Sequence, residues 1–227
     1  MNLPDKREFG WTLKPLESAS TTFQKLPTGQ YELRIEHDTI RNVSTEMIRW
    51  WFENFINLTV TLMGKEYPAY HLWHPFDHIS VAKVSASNGI ILKEGDFVQI
   101  NEAFQRKPEF ALNDKAKVYY FREDGFGLKV IKGPFAMGKL LHRFRDVGGG
   151  VEYRSHLVAG IESGPLRGLI NSRLLPKIMN EKKLKAWFVH NIEEVGCFVL
   201  SRLNSKMKLL SIYRPCVCGF RFDFVDH

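Results

Sequence analysis

The sequence predicts an α+β fold in which a curved antiparallel sheet wraps on one long C-terminal helix. Three observations point there. Between His78 and Ile161 apolar and polar residues alternate in successive runs, and tight-turn residues separate the runs. Beyond residue 175 the apolar period changes from two to about 3.6. The length, 227 residues, fits one large domain better than two small ones and allows a substantial core.

Taken in order, residues 1–29 carry Pro4, Pro15, Pro27 and Gly29 and read as a loosely ordered arm, leaving residues 30–227 as the domain. Tyr31, Leu33 and Ile35 alternate with polar residues and predict a short strand. A helix follows. Ser44 or Thr45 can cap it, and Met47, Ile48, Trp51, Phe52 and Phe55 give it one apolar face, which Trp50 widens. Six strands are then expected at 78–84, 96–104, 117–122, 126–132, 135–146 and 151–161. Asn88-Gly89, Asp124-Gly125, Gly133-Pro134 and Gly148-Gly149-Gly150 supply turn chemistry between them. The last clear element is a helix over 175–203, with Leu184, Trp187, Phe188, Val195, Phe198 and Val199 on its apolar surface. This is the helix-grip plan, which leaves a cavity between sheet and helix. Residues 209–213 and 220–224 are candidates for further short strands.

Composition excludes several classes. The chain is 44% hydrophobic, 25% charged and 13% aromatic, with 17 Phe and 5 Trp, which suits a large core or an aromatic-lined cavity. Net charge is +7 and the pI about 9.3, but the densest basic cluster, Lys182, Lys183 and Lys185, reads as the solvated start of a helix. No nucleic-acid signature accompanies it. The charge can still draw an anionic phenolate towards the protein. Cys197, Cys216 and Cys218 form neither paired C-x-x-C spacings nor an even disulfide set. Met1 to Trp11 lacks the apolar core of a signal peptide, and no apolar run is long enough to cross a membrane, so a cytoplasmic protein is expected.

Four places could carry chemistry. On the long helix, His190 and Glu194 lie about 40° apart around the axis and about 6 Å along it, so both can reach one metal ion. Nitrogen plus carboxylate suits zinc, and the aromatic surroundings of the pair favour a ligand role over a surface ion pair. Glu193 points about 100° away, so only one of the two glutamates should share the site of His190. The segment Tyr70-His71-Leu72-Trp73-His74-Pro75-Phe76-Asp77-His78 holds three histidines and an aspartate at a proline break. The competing reading is a structural Trp-Pro corner with surface histidines. Glu102 shares a strand face with Val98 and Ile100, where an unpaired carboxylate is costly, and Glu109 is its competitor. His142 alternates with Leu140 and Phe144, and a satisfied core histidine is an equal reading there.

Several of these segments, in order, resemble the 2,4-diacetylphloroglucinol hydrolase and phloretin hydrolase family. Met47 to Phe52 resembles its helix with paired tryptophans. Tyr70 to His78 resembles its Y-x-x-W-x-P-x-D-H segment, His142 to Ser155 its H-x-x-R-x-x-x-G-G-x-E-x-R-S stretch, and His190 to Glu194 its helical H-x-x-x-E. The resemblance implies a Bet v 1/START-like helix-grip fold and Zn2+ held by His78, Glu102, His190 and Glu194, with His74 in reserve for His78. It implies substrate contacts from Tyr70, His142 and Tyr153, and catalysis by Glu102, Tyr70 and His142. The implied activity is metal-dependent hydrolysis of the carbon–carbon bond between an acyl group and a polyhydroxylated ring. The partner would be a small phenolic ketone, with no nucleic acid or membrane, and a homodimer is compatible. Two other classes stay open: a non-catalytic helix-grip protein binding a hydrophobic ligand, and a polyketide cyclase-like enzyme.

Overall fold

The computed structural model describes residues 3, 5–10, 12–62, 64–84, 89–195 and 223–224. Its main strands are β1 (Ala19–Lys25), β2 (Tyr31–His37), β3 (Ile40–Arg41), β6 (His78–Lys83), β7 (Phe97–Ala103), β8 (Ala111–Arg122), β9 (Gly125–Lys132), β10 (Phe135–Val147) and β11 (Gly150–Ala159). They form one nine-stranded sheet in the order β1-β2-β11-β10-β9-β8-β7-β6, with β3 also paired to β11. Every pairing in this sheet is antiparallel. Five consecutive hairpin-like neighbours run from β6 to β11, and β2 then returns to the far side of β11. Register shifts in β6, β8 and β10 mark bulges, which bend a sheet and increase its twist. A small second sheet joins β4 (Thr59–Leu62), β5 (Lys65–Pro68) and β12 (Asp223–Phe224).

The turn from β10 to β11 shows why two of its three glycines, Gly149 and Gly150, are needed. Val147 pairs with Gly150, leaving a two-residue turn in which Gly149 has φ +84°. A Cβ on Gly150 would lie 2.1 Å from the Ile40 carbonyl oxygen, so only glycine admits β3 at this edge.

Helix α1 (Thr45–Asn54) begins where the sequence predicts. Ser44 is its N-cap, accepting from the Met47 N–H at 3.3 Å. Ser44→Ala is expected to cost about 1 kcal/mol in a denaturant titration, the usual worth of such a cap. The buried face of α1 carries Ile48, Trp51 and Phe52. Phe52 stacks on Phe126 at 4.4 Å between ring centres and lies 5.8 Å from His142. Helix α2 (Ala69–Trp73) follows β5 directly, and the turns α3 (Arg167–Leu169) and α4 (Leu175–Ile178) precede the long helix α5 (Glu181–Val195).

The described part of α5 is shorter than the 175–203 expectation. Met179 leaves helical geometry (φ −137°, ψ 74°), and the Asn180 side chain caps the new start by accepting from the Lys183 N–H at 2.9 Å. The expected continuation to residue 203, the three cysteines, the strand at 209–213 and residues 220–222 lie outside the described residues, as does Asn88. The arm also differs from expectation. Residues 19–25 form β1, an edge strand on β2, although Ser20, Thr21 and Thr22 are exposed and hide any alternation. Further upstream, Arg7 donates to the carbonyls of Pro75 and His78, at 2.9 Å each.

Two apolar clusters fill the interior. One joins Trp51, Phe52, Phe55 and Tyr70 to Phe126, Phe144 and Tyr153 of the sheet. The other joins Leu184, Trp187, Phe188 and Ile192 of α5 to Leu33, Ile35 and Leu157. Val195 of α5 belongs to the first cluster. The helix therefore bridges both clusters, and His190, Asn191 and Glu194 on it are buried with them. An antiparallel sheet gripping α5 is the helix-grip architecture expected from the sequence. Among the described residues no helix is long and apolar enough to cross a membrane.

Candidate metal centre

Strand pairing brings the first two donors together. His78, the first residue of β6, is the register partner of Glu102 on β7. The bulge that follows lets the next contact fall at Ser80 and Asn101, so it aims His78 without disturbing the rest of the ladder. Helix α5 supplies the other two donors, one turn apart. The four converge. His78 Nε2 lies 3.6 Å from Glu102 Oε1 and 3.4 Å from Glu194 Oε2. His190 Nε2 lies 3.8 Å from Glu102 Oε2 and 3.7 Å from Glu194 Oε2. His78, Glu102 and His190 each offer a ligand atom within 4.8 Å of the others.

The tautomers of the two imidazoles follow from their outer hydrogen bonds. His78 Nδ1 is 2.6 Å from the Tyr70 carbonyl, which can only accept, so Nδ1 carries the proton. Its Nε2 is then a bare lone pair. His78 is fully buried and that nitrogen has no hydrogen-bond partner among the described residues. A buried, unpartnered lone pair facing two carboxylates is unfavourable unless a cation sits among them. His190 repeats the pattern: Nδ1 donates to Asp77 Oδ2 at 3.1 Å, turning Nε2 to the carboxylates. A histidine whose outer nitrogen is tied to a carbonyl or carboxylate is the usual arrangement of a metal ligand.

Asp77 does more than orient His190. Its carboxylate also accepts from the Gln105 and Arg106 N–H groups, at 2.9 and 3.2 Å. These two residues have φ near +55°, a conformation costly for side-chain-bearing residues. Asp77 thus holds the turn after Glu102 and the His190 ring with one side chain. Burial disfavours its charge, but the His190 hydrogen bond and charge outweigh this and lower the carboxyl pKa to about 2. Asp77→Asn is expected to weaken divalent-metal binding about 10–100-fold, the range for loss of a carboxylate behind a ligating histidine. Competition titration against a chelating dye measures it.

The remaining sequence candidates divide clearly. Glu109 is exposed in a 3-10 turn, Pro108–Phe110, whereas Glu102 is the penultimate residue of β7 and within reach of both imidazoles. The register sets Glu102, and not Glu109, opposite His78. Glu193 turns away from Glu194, as the 100° step requires, and its Oε2 lies 3.0 Å from His74 Nε2. His74 Nδ1 accepts from the Asp77 N–H at 3.1 Å, so both nitrogens of His74 have partners. His74 thus spends its nitrogens on Glu193 and Asp77, whereas the Nε2 of His78 is unpartnered. His74, Asp77 and His190 also form a compact grouping, but Asp77 and His190 already bond each other within it.

Tyr70 and His142 flank the centre. The Tyr70 hydroxyl donates to Glu102 in a short hydrogen bond, and its ring stacks on His78 at 3.8 Å and 7°. Burial, then the Glu102 charge, push the Tyr70 pKa well above its ordinary value, so it stays a donor. His142, 2% exposed, packs beside Phe52 and Tyr153. Burial lowers its pKa to about 4, against the opposing pull of Glu194. The hydroxyl of Tyr153 is likewise held protonated by burial and by Glu194. The Glu194 charge thus acts on Tyr70, His142 and Tyr153 alike.

Besides Asp77 of the histidine-rich segment, three further buried polar residues join the site: His37, Ser155 and Asn191. Two carried a signal. His37 continues the buried Tyr31, Leu33, Ile35 alternation, and Ser155 continues Val151 and Tyr153. A polar residue falling on an apolar strand face is the pattern that marks them.

No protein-family model and no curated protein sequence matches the chain. Solved structures with a similar outline include Ms6760 from Mycobacterium smegmatis (TM-score 0.47, 11% identity, 81% of this chain and 99% of that one). Ginseng major latex-like protein 151 from Panax ginseng gives 0.43 at 13% identity, covering 74% and 97%. A START superfamily protein from Mycobacterium smegmatis gives 0.40 at 14% identity, covering 73% and 98%. At these scores no function is transferable, and the helix-grip assignment stands on strand order and on α5.

Proposed function

We propose that the chain is a metal-dependent hydrolase that separates an acyl group from a polyhydroxylated aromatic ring. The observation that carries the metal is the unpartnered Nε2 of fully buried His78, facing the carboxylates of Glu102 and Glu194. Two imidazole nitrogens and two carboxylates fit zinc, with His78, Glu102, His190 and Glu194 holding it. When bound, the ion would polarise the acyl carbonyl and make a water more acidic.

The reaction class rests on the family resemblance and on the polar groups beside the ligands. An aryl carbanion is too basic to leave, so the ring carbon must first gain a proton. A polyhydroxylated ring does this by taking its keto form, and the carbon then departs as an enolate. Tyr70, whose oxygen can accept from a ring hydroxyl while its proton goes to Glu102, and His142, a neutral imidazole, would hold the ring oxygens. Glu102, already hydrogen-bonded by Tyr70, would pass the proton to the ring carbon. Water adds its hydroxyl to the acyl carbon and its proton to the ring, giving a carboxylic acid and the shortened phenol.

A second reading, a non-catalytic carrier, is favoured by a separate feature. An open cleft beside α5 is lined by Phe23, Phe110 and Phe188 and rimmed by Lys107, Lys182 and Lys185, which suits an amphiphilic anion. The two readings part on metal content. One equivalent of zinc in the purified protein, and free acid released from 2,4-diacetylphloroglucinol or phloretin, are expected. A protein without stoichiometric metal that tolerates Glu194→Gln would leave the carrier.

A further inference from the structure

A line of buried polar groups runs away from the metal-ligand cluster. Glu194 Oε1 accepts from Asn191 Nδ2 at 2.6 Å. His37 Nε2 is 3.0 Å from Ser155 Oγ, and Ser155 Oγ is 3.1 Å from His142 Nδ1. Asn191, His37, Ser155 and His142 are all buried. Two atoms of the line, Asn191 Oδ1 and His37 Nδ1, have no partner at standard hydrogen-bond geometry, although the Asn191 side chain acts on His37 as a hydrogen-bonding group that favours its proton. One is an acceptor and the other can donate, so joining them satisfies both.

The direction of the line is then fixed from one end. The Glu194 carboxylate can only accept, so the Asn191 amide must turn its NH2 towards it and its oxygen away. That oxygen needs a donor, which makes His37 Nδ1 the protonated nitrogen and His37 Nε2 an acceptor. Ser155 has one hydroxyl proton and must give it to His37 Nε2. The remaining bond, to His142, can form only if His142 Nδ1 donates. With burial holding both imidazoles neutral, each has a single N–H to place. The outward nitrogen of His142, Nε2, has no hydrogen-bond partner among the described residues.

We propose that Glu194, acting through Asn191, His37 and Ser155, fixes His142 in the Nδ1–H tautomer, so that Nε2 presents a lone pair that selects a free phenolic hydroxyl. Asn191, His37 and Ser155 are positioning residues in this scheme. The ligand class rests on the hydrolase reading above; the tautomer does not.

The test is 15N NMR of the histidine side chains in the full chain. His142 is expected to show a protonated Nδ1 and an unprotonated Nε2. Ser155→Ala removes the acceptor of that proton. His37→Phe keeps a ring against Tyr153 and frees the Ser155 hydroxyl to donate to His142 Nδ1 instead. Either variant should move His142 towards the Nε2–H form, and if one fails to fold the other still reports. An Nε2–H signal in the unaltered protein, or no change in the folded variants, overturns the assignment. For the ligand, 2,4,6-trihydroxyacetophenone should bind Ser155→Ala about tenfold more weakly, the worth of one hydrogen bond. Its tri-O-methyl ether should bind neither protein measurably. If the tautomer is as assigned but the ether binds the unaltered protein as well as the phenol does, the phenolic reading fails and the relay stands.

Discussion

Replacing His190 by alanine is expected to give a protein with no stoichiometric metal and no measurable hydrolysis of 2,4-diacetylphloroglucinol. Two effects combine. The change removes one of two imidazole donors, and it takes the His190 partner from the buried Asp77 carboxylate, which keeps the Gln105 and Arg106 N–H groups. Breaking a buried charge pair costs up to about 3–5 kcal/mol, so part of the loss would be stability rather than chemistry. Glu194→Gln separates the two. It preserves side-chain size and the packing of α5 while removing one negative donor. Metal affinity should fall by at least ~100-fold, the upper end of what loss of an outer-sphere partner alone produces. The unfolding midpoint measured in a chelator should move far less. Adding zinc at about a thousand times its dissociation constant should stabilise the unaltered protein by about 4 kcal/mol and the variant hardly at all. Full activity in a metal-free variant would sink the proposed mechanism, whatever the stability data show.

Much of this site was legible in the sequence because its spacing is short. His190 and Glu194 are one helical turn apart, and a turn is a local property. The His142 strand and its glycine turn were legible for the same reason, since alternation and positive-φ glycine are read over a few residues. What sequence leaves open is long-range register. Glu102 and Glu109 are seven residues apart and chemically alike, and only the pairing of β6 with β7 sets Glu102 opposite His78. The roles of Asp77, His37, Ser155 and Asn191 were hidden similarly, because each bonds a residue far away in the chain or fills a face already counted as apolar. In the fold, β1 leaves no mark in the sequence because an edge strand with both faces partly wet has no alternation to show. The short strands β4 and β5 span four residues each, too few for periodicity to register.

The buried histidines also set how the protein should respond to acid. In the folded state burial lowers His37 to about 3 and His142 to about 4, from an ordinary value of 6.5. Burial likewise drives His78 well below its ordinary range. Between pH 6.5 and about 4 the unfolded chain therefore binds protons that the folded chain refuses, and stability must rise with pH across that window. Each pH unit per histidine is worth up to about 1.4 kcal/mol, so the chelated protein should lose several kcal/mol by pH 4.5. His190 works in the opposite sense and elsewhere. Burial opposes its charge, but Asp77, Glu194 and Glu102 raise it to about 9, so it is protonated in both states below 6.5 and its contribution fades only as pH climbs through about 9. Asp77 and Glu32, both lowered to about 2, add their own loss only below the ordinary carboxylate range. The window from 6.5 to 4.5 thus belongs mainly to the neutral histidines. Urea midpoints measured there should slope steeply in the unaltered protein and less steeply in His37→Phe or His142→Phe. A flat profile would mean that these rings are charged or exposed in solution, and the fixed tautomer of His142 would lose its physical basis with them.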